Sequence, residues 1–324
     1  MSAGVVYLNK ISKTKEKNKS LTKIIDFINE KAVDLNAQDD LAEYVASKIS
    51  ILLDYIDQKK ELSEQQVDDI LSEIVGYFTI TLDIPLYAGI KILRARAYKT
   101  VHTETEVSEL SYITEKKREI VTLGRLNKEK HSIYYGCIYF GKSDGINVAF
   151  SESNSEVGDT VNILYSETIN EIKVRFIGVY NYVHRKSKPR FMPQEMYDYF
   201  EEAYEYQEKM YSESVFLACI LTDAFFADIL RRKNSGNLYK VTSKLFEIFT
   251  DSNSIDGIIY TSVKSEGDPV IALKPCSVDS KIKHISCDCY RITSDYGYAK
   301  YRALHTHKGS IDAKNKIIWS ETNA

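Results

Sequence analysis

VNILYS (161–166) and IKVRFIGVYNY (172–182) decide the fold class of this chain. Both runs are rich in β-branched and aromatic residues and are bounded by polar clusters, a composition that predicts strands, the second broken at Gly178. Upstream, strand character begins near residue 85, and before that the spacing is helical. Leu21, Ile24, Ile25 and Ile28 share one face, as do Leu41, Val45, Ile49, Leu52 and Ile56. Ser63 with Gln66 has the form of a capping box, and Val67, Ile70, Leu71 and Ile74 carry a third helix onward. Downstream, 196–211 and 215–230 are of helix length, the second apolar on nearly every face and therefore central. Another amphipathic helix is expected over 238–250, then strands at 256–263, 269–274 and 317–320. Helices and strands segregated in this way predict an α+β architecture.

The organisation expected is a mobile lead-in over 1–20, a helical N-terminal region over 21–80, a main domain over 85–275 and a C-terminal β extension over 276–324 packed on that domain. With 324 residues and 44% apolar content, the chain can bury a large core. A formal net charge of −3 announces no nucleic-acid surface, so a small molecule is the default ligand. No apolar run is long enough to cross a bilayer and no leader pattern opens the chain, and the five scattered cysteines suit a reducing compartment, so a cytosolic protein is expected.

Five polar positions stand out in order: Arg94 in ILRAR (92–96), Arg125 in GRLN (124–127), Tyr134 in IYYG (133–136), Glu152 in AFSESN (149–154) and Ser262 in DGIIYTS (256–262). Three have near rivals. Arg96 shares a strand face with Arg94, Tyr135 adjoins Tyr134 on the opposite face, and Glu156 follows Glu152 by one helical turn. Gly124 permits a close turn before Arg125, and Asn127 offers a donor and an acceptor to fix it or to meet a ligand hydroxyl.

This ordered set resembles the RES-domain family, named for its arginine, glutamate and serine. The resemblance spans roughly residues 88–275 and implies an ADP-ribosyltransferase-like mixed β core flanked by helices, here with an extra helical N-terminal region. It departs from the family pattern at Leu126, where an aromatic is commoner, and at Thr261, where proline is usual. The spacing between Tyr134 and Glu152 is also longer than in compact members, implying an inserted loop over 137–147. SEGDPVIAL (265–273) is similar to the family's closing hairpin, with Gly267 at its turn.

The resemblance implies an enzyme that consumes NAD by breaking the nicotinamide–ribose bond, as a phosphorylase or glycohydrolase, in a toxin, stress or defence role. A small antitoxin that occludes the cleft is the implied partner. Protein ADP-ribosylation and a non-catalytic nucleotide-binding module are the alternatives. NAD enters as substrate, with no resident cofactor. An oxocarbenium-like transition state needs nearby negative charge and a held diphosphate. The implied roles are therefore catalytic for Glu152, Arg94 and Tyr134, the tyrosine stacking on nicotinamide, and NAD-binding for Arg125, Asn127 and Ser262. The extra N-terminal helices are left to cover the core, bind a partner or form a homo-oligomer.

Other signals are weaker. His284, Cys287, Cys289, His305 and His307 match no zinc spacing, and strand alternation accounts for them, so no metal site is expected. There is no phosphate-binding P-loop, no GxGxxG and no GxSxG elbow, which argues against an ATPase, an ordinary dehydrogenase and a serine-triad hydrolase.

Overall fold

Ten strands pair into one mixed sheet in the order β1-β5-β6-β7-β3-β2-β4-β8-β9-β10. They are β1 (Ile84–Leu86), β2 (Lys91–Tyr98), β3 (Tyr134–Tyr139), β4 (Thr160–Thr168), β5 (Ile172–Phe176), β6 (Gly257–Thr261), β7 (Pro269–Leu273), β8 (Ile282–Asp295), β9 (Tyr301–Ile311) and β10 (Ile317–Glu321). Neighbours are antiparallel except β5 and β6, which are parallel. This computed structural model describes residues 25–322 apart from 27, 31, 33, 37, 38, 78–83, 101, 102, 104, 140–144, 233–235, 252, 253, 263 and 266. The lead-in expected over 1–20 lies outside the described residues.

Among the described residues, helices α1 (Leu41–Ile56) and α2 (Glu64–Val75) form where the apolar spacing predicts them. Ser63 and Gln66 close a reciprocal capping box at the start of α2, satisfying backbone N–H groups that a helix end otherwise leaves unpaired. Two short helices follow, α3 (Val107–Leu110) and α4 (Gly145–Glu152). The run 172–182 is not one interrupted strand. β5 stops at Phe176, and Gly178 takes a left-handed φ of +87° before α5 (Val179–His184) begins. The cause lies far along the chain: Asp223 accepts the N–H groups of Gly178 and Tyr180 at 2.8 and 3.1 Å and so caps α5. Burial pushes the Asp223 carboxyl up to about 7.

Asp223 belongs to α7 (Glu213–Arg231), which lies between α6 (Gln194–Met210) and α8 (Gly236–Thr250) in sequence and packs against α1, α5, α6 and α8. This layer and the sheet enclose the larger core, where Phe176, Phe200, Phe226 and Phe249 are fully buried. Each such side chain contributes about 2–3 kcal/mol by leaving water. A smaller core on the other face joins Val148, Ala149 and Phe150 of α4 to Leu93, Cys137, Val161 and Ile163. After α9 (Pro275–Lys281), β8 pairs with β4 along Thr160–Thr168, so the last three strands continue the same sheet. Of the loop expected over 137–147, Cys137–Tyr139 complete β3 and Gly145 starts α4, and 140–144 lie outside the described residues.

Candidate functional site

β2 pairs with β4 along all of Lys91–Tyr98, but with β3 only at Lys91, Ile92 and Leu93, opposite Tyr139, Ile138 and Cys137. Beyond Leu93 and Cys137 the two strands part, β3 continuing along β7. A cleft of about 330 Å³ opens at this fork, within the size range of small-molecule sites. Arg94 is the first residue of β2 without a β3 partner, and its side chain lines the cleft. Its Nη1 donates to the Tyr135 carbonyl at 2.7 Å, and its Nε is shared between the Leu110 and Ser111 carbonyls, both at 3.0 Å. The guanidinium thus supplies a donor where the ladder has stopped. Burial pulls its pKa below the ordinary arginine value, yet a guanidinium stays charged in a protein. Arg96, its sequence rival, is exposed and reaches the Glu109 carbonyl instead.

The pleat of β3 separates the two tyrosines. Tyr134, expected to stack on ligand, is 0% exposed and lies outside the cleft lining. Its ring backs the Arg94 guanidinium at 5.5 Å, and its hydroxyl sits 3.4 Å from Ser166 Oγ. Tyr135 lines the cleft in its place. The reason is register: successive residues of a strand face opposite ways, and Tyr134 is taken by the larger core. Behind it, His284 Nδ1 lies 2.8 Å from Ser166 Oγ, and burial pulls the imidazole down to about 4, so it is neutral near pH 7.

Arg125 reaches the cleft from the Gly124–Asn127 turn, closed by a 3.0 Å bond from Gly124 N–H to the Asn127 carbonyl. A Cβ on Gly124 would collide with the Asn127 amide. Asn127, expected to meet ligand, is buried and holds the turn: Nδ2 donates to the Thr122 and Lys128 carbonyls at 2.8 and 3.1 Å, and Oδ1 accepts from the Tyr135 hydroxyl at 3.2 Å. Tyr135 also accepts the Leu126 N–H at 3.0 Å, which latches the turn to β3. Leu126 is 1% exposed in the larger core, where an aliphatic side chain packs and no stacking surface is offered. The Arg125 Nη1 donates to the Leu230 and Arg232 carbonyls at 2.6 and 3.1 Å, a cation set on the C-terminal, negative end of α7.

Glu152 is the last residue of α4 and lines the same cleft as Arg94 and Arg125. Ser262 is 1% exposed and its hydroxyl donates to Glu152 Oε1, while accepting the N–H groups of Lys264 and Ser265, each at 3.0 Å. Ser262, expected to bind ligand, is bonded to the carboxylate. Glu156 lies past the end of α4, exposed and paired with Lys99 at 2.6 Å. Lys264, Cys137 and Tyr239 also line the cleft without a sequence motif to mark them, although Cys137 follows Tyr135 at the strand period of two, and Tyr260 of DGIIYTS joins them. Burial, with the Glu152 charge nearby, raises the Cys137 thiol far above its usual value, so it is no thiolate nucleophile at neutral pH. Three cationic side chains and one carboxylate therefore share the cleft, an arrangement suited to an anionic ligand that develops local positive charge.

His284, Cys287, Cys289, His305 and His307 lie along β8 and β9, with Cys287 and Cys289 buried. Among the described residues, no group of three or more His, Cys, Asp or Glu side chains is arranged to hold a metal ion. No helix among them is long and apolar enough to cross a membrane. No family model, no curated protein and no solved structure matches this chain.

Proposed function

We propose that this chain is an NAD-consuming enzyme that breaks the nicotinamide–ribose bond at the fork between β2 and β3. The observation that carries the reading is the meeting of Arg94, Arg125 and Glu152, distant in sequence, around one cleft, with Ser262 bonded to the carboxylate. In this reading the guanidinium N–H groups not spent on backbone carbonyls, Nη2 of Arg94 with Nε and Nη2 of Arg125, meet the diphosphate. The Glu152 carboxylate faces the anomeric carbon. As the C–N bond breaks, nicotinamide leaves with the bonding pair and becomes neutral, while the positive charge passes to the ribosyl oxocarbenium, which the carboxylate stabilises. An acceptor then adds at that carbon: water, phosphate or a protein side chain. Tyr135 takes the aromatic role that the family resemblance gives to Tyr134.

An ADP-ribosyltransferase-like core belongs to the same proposal and is supported by the mixed sheet that parts beside the cleft. So does a toxin, stress or defence role, with a small protein inhibitor covering the cleft. The test is release of nicotinamide from NAD by the purified chain, with products separated to identify the acceptor. Glu152→Ala is expected to lose at least about a hundredfold in rate while keeping its thermal transition. A chain that binds NAD and releases nothing is the nucleotide-binding module, and activity retained in Glu152→Ala removes the carboxylate from the mechanism.

A further inference from the structure

Lys264 reaches the cleft from the segment that follows β6, and hydrogen bonds in both directions tie that segment to the end of α4. Ser151 Oγ donates to the Lys264 carbonyl at 3.0 Å, and Lys264 Nζ donates to the Glu152 carbonyl at 3.0 Å. The second bond answers a specific need. In a continuing helix the Glu152 carbonyl would receive the Glu156 N–H, but that N–H donates to Asp159 Oδ2 at 2.9 Å instead. The last carbonyl of α4 accepts instead from the ammonium, which also sits favourably at the negative end of a helix. Ser262 Oγ closes the arrangement, accepting the Lys264 N–H while donating to the Glu152 carboxylate.

We propose that Lys264 is a positioning residue: by capping α4 at the Glu152 carbonyl, it fixes the backbone from which the Glu152 carboxylate is aimed by Ser262. The inference rests on the reading of Glu152 as the carboxylate of NAD cleavage, and its test has one arm that needs no NAD. Lys264→Met keeps a similar stem and removes the charge and donors, whereas Lys264→Arg keeps both. In the methionine variant, kcat for nicotinamide release falls at least tenfold with KM within threefold of wild type, and the arginine variant recovers at least a third of the rate. A tenfold rise in KM with kcat retained overturns the proposal, because it makes Lys264 a direct contact to the substrate's anion.

Hydrogen–deuterium exchange on the full chain is the second arm. The amides of Ser153 and Ser155, which donate to the Ala149 and Phe150 carbonyls at 3.0 and 3.1 Å, exchange at least tenfold faster in Lys264→Met, while β4 keeps its wild-type rates. Unchanged exchange at the end of α4 overturns the proposal even if wild type releases no nicotinamide, so the two readings fail separately. Should Lys264→Met not fold, Ser151→Ala, which removes the bond to the Lys264 carbonyl together with the side-chain contact to Tyr301, is expected to speed the same amides at least threefold, and wild-type rates there overturn the proposal equally.

Discussion

The two edges of β2 are built for different tasks. Toward β4 the strand is paired throughout, and its partner is buried on both faces and paired again with β8. Toward β3 the pairing ends after three residues, and side-chain donors take over from the backbone. A closed ladder stabilises, but it leaves no polar group to offer a ligand. The open edge presents guanidiniums and a carboxylate, each held by carbonyls, hydroxyls or a helix end that fix its direction. The closed edge serves stability and, on the proposed function, the open edge serves the chemistry, so substitutions on each should separate the two.

The largest effect on stability is expected at the closed edge. Ile163 is fully buried, paired with Ala95 on one side and Asp288 on the other. Ile163→Ala should cost about 2–5 kcal/mol, read as a lower urea midpoint. At the open edge, Arg94→Met removes the donor from three carbonyls and should cost about 1–3 kcal/mol. Its effect on NAD turnover should be greater than that of Ile163→Ala assayed below its own unfolding temperature. Equal losses of turnover in the two variants would dissolve the comparison.

The tyrosines sharpen it further. Tyr135→Phe loses both bonds that latch the Arg125 turn and should raise the KM for NAD severalfold, at a stability cost of about 1 kcal/mol. Tyr134→Phe keeps the ring behind Arg94 and loses only the long contact to Ser166, so its KM should stay within twofold of wild type. The smallest effect concerns pH. His284 has its folded pKa lowered to about 4 by burial, whereas an unfolded imidazole titrates near 6.5. Its stabilising contribution is therefore complete above about pH 6.5 and is lost as pH falls toward about 4, because the unfolded chain takes up a proton that the folded one refuses. Urea midpoints at pH 7 and pH 5 should differ less in His284→Gln than in wild type.

Local pattern carried the helices and strands. The Ser63–Gln66 box and the apolar faces of α1 and α2 act within one or two turns of chain, so they are readable in order. The run after Phe176 was not, because the carboxylate that turns it into a helix comes from Asp223, more than forty residues on. Arg94, Arg125 and Glu152 were named on the family resemblance, and they share a cleft. Tyr135 rather than Tyr134 lines the cleft, because sheet parity is fixed by which face the core occupies, a tertiary fact. Asn127 and Ser262 were named for the ligand, but a short polar side chain in a tight turn is equally able to hold its own backbone or a neighbour. Lys264 has no motif, and its part depends on a helix that ends at Glu152.

The account turns on one cleft receiving one dinucleotide. A crystal structure of Glu152→Gln with NAD bound tests this most directly. The account predicts the diphosphate between the Arg94 and Arg125 guanidiniums, with the anomeric carbon of the nicotinamide ribose facing residue 152. NAD bound elsewhere on the molecule, or lying in the cleft with its phosphates turned away from both arginines, would contradict it.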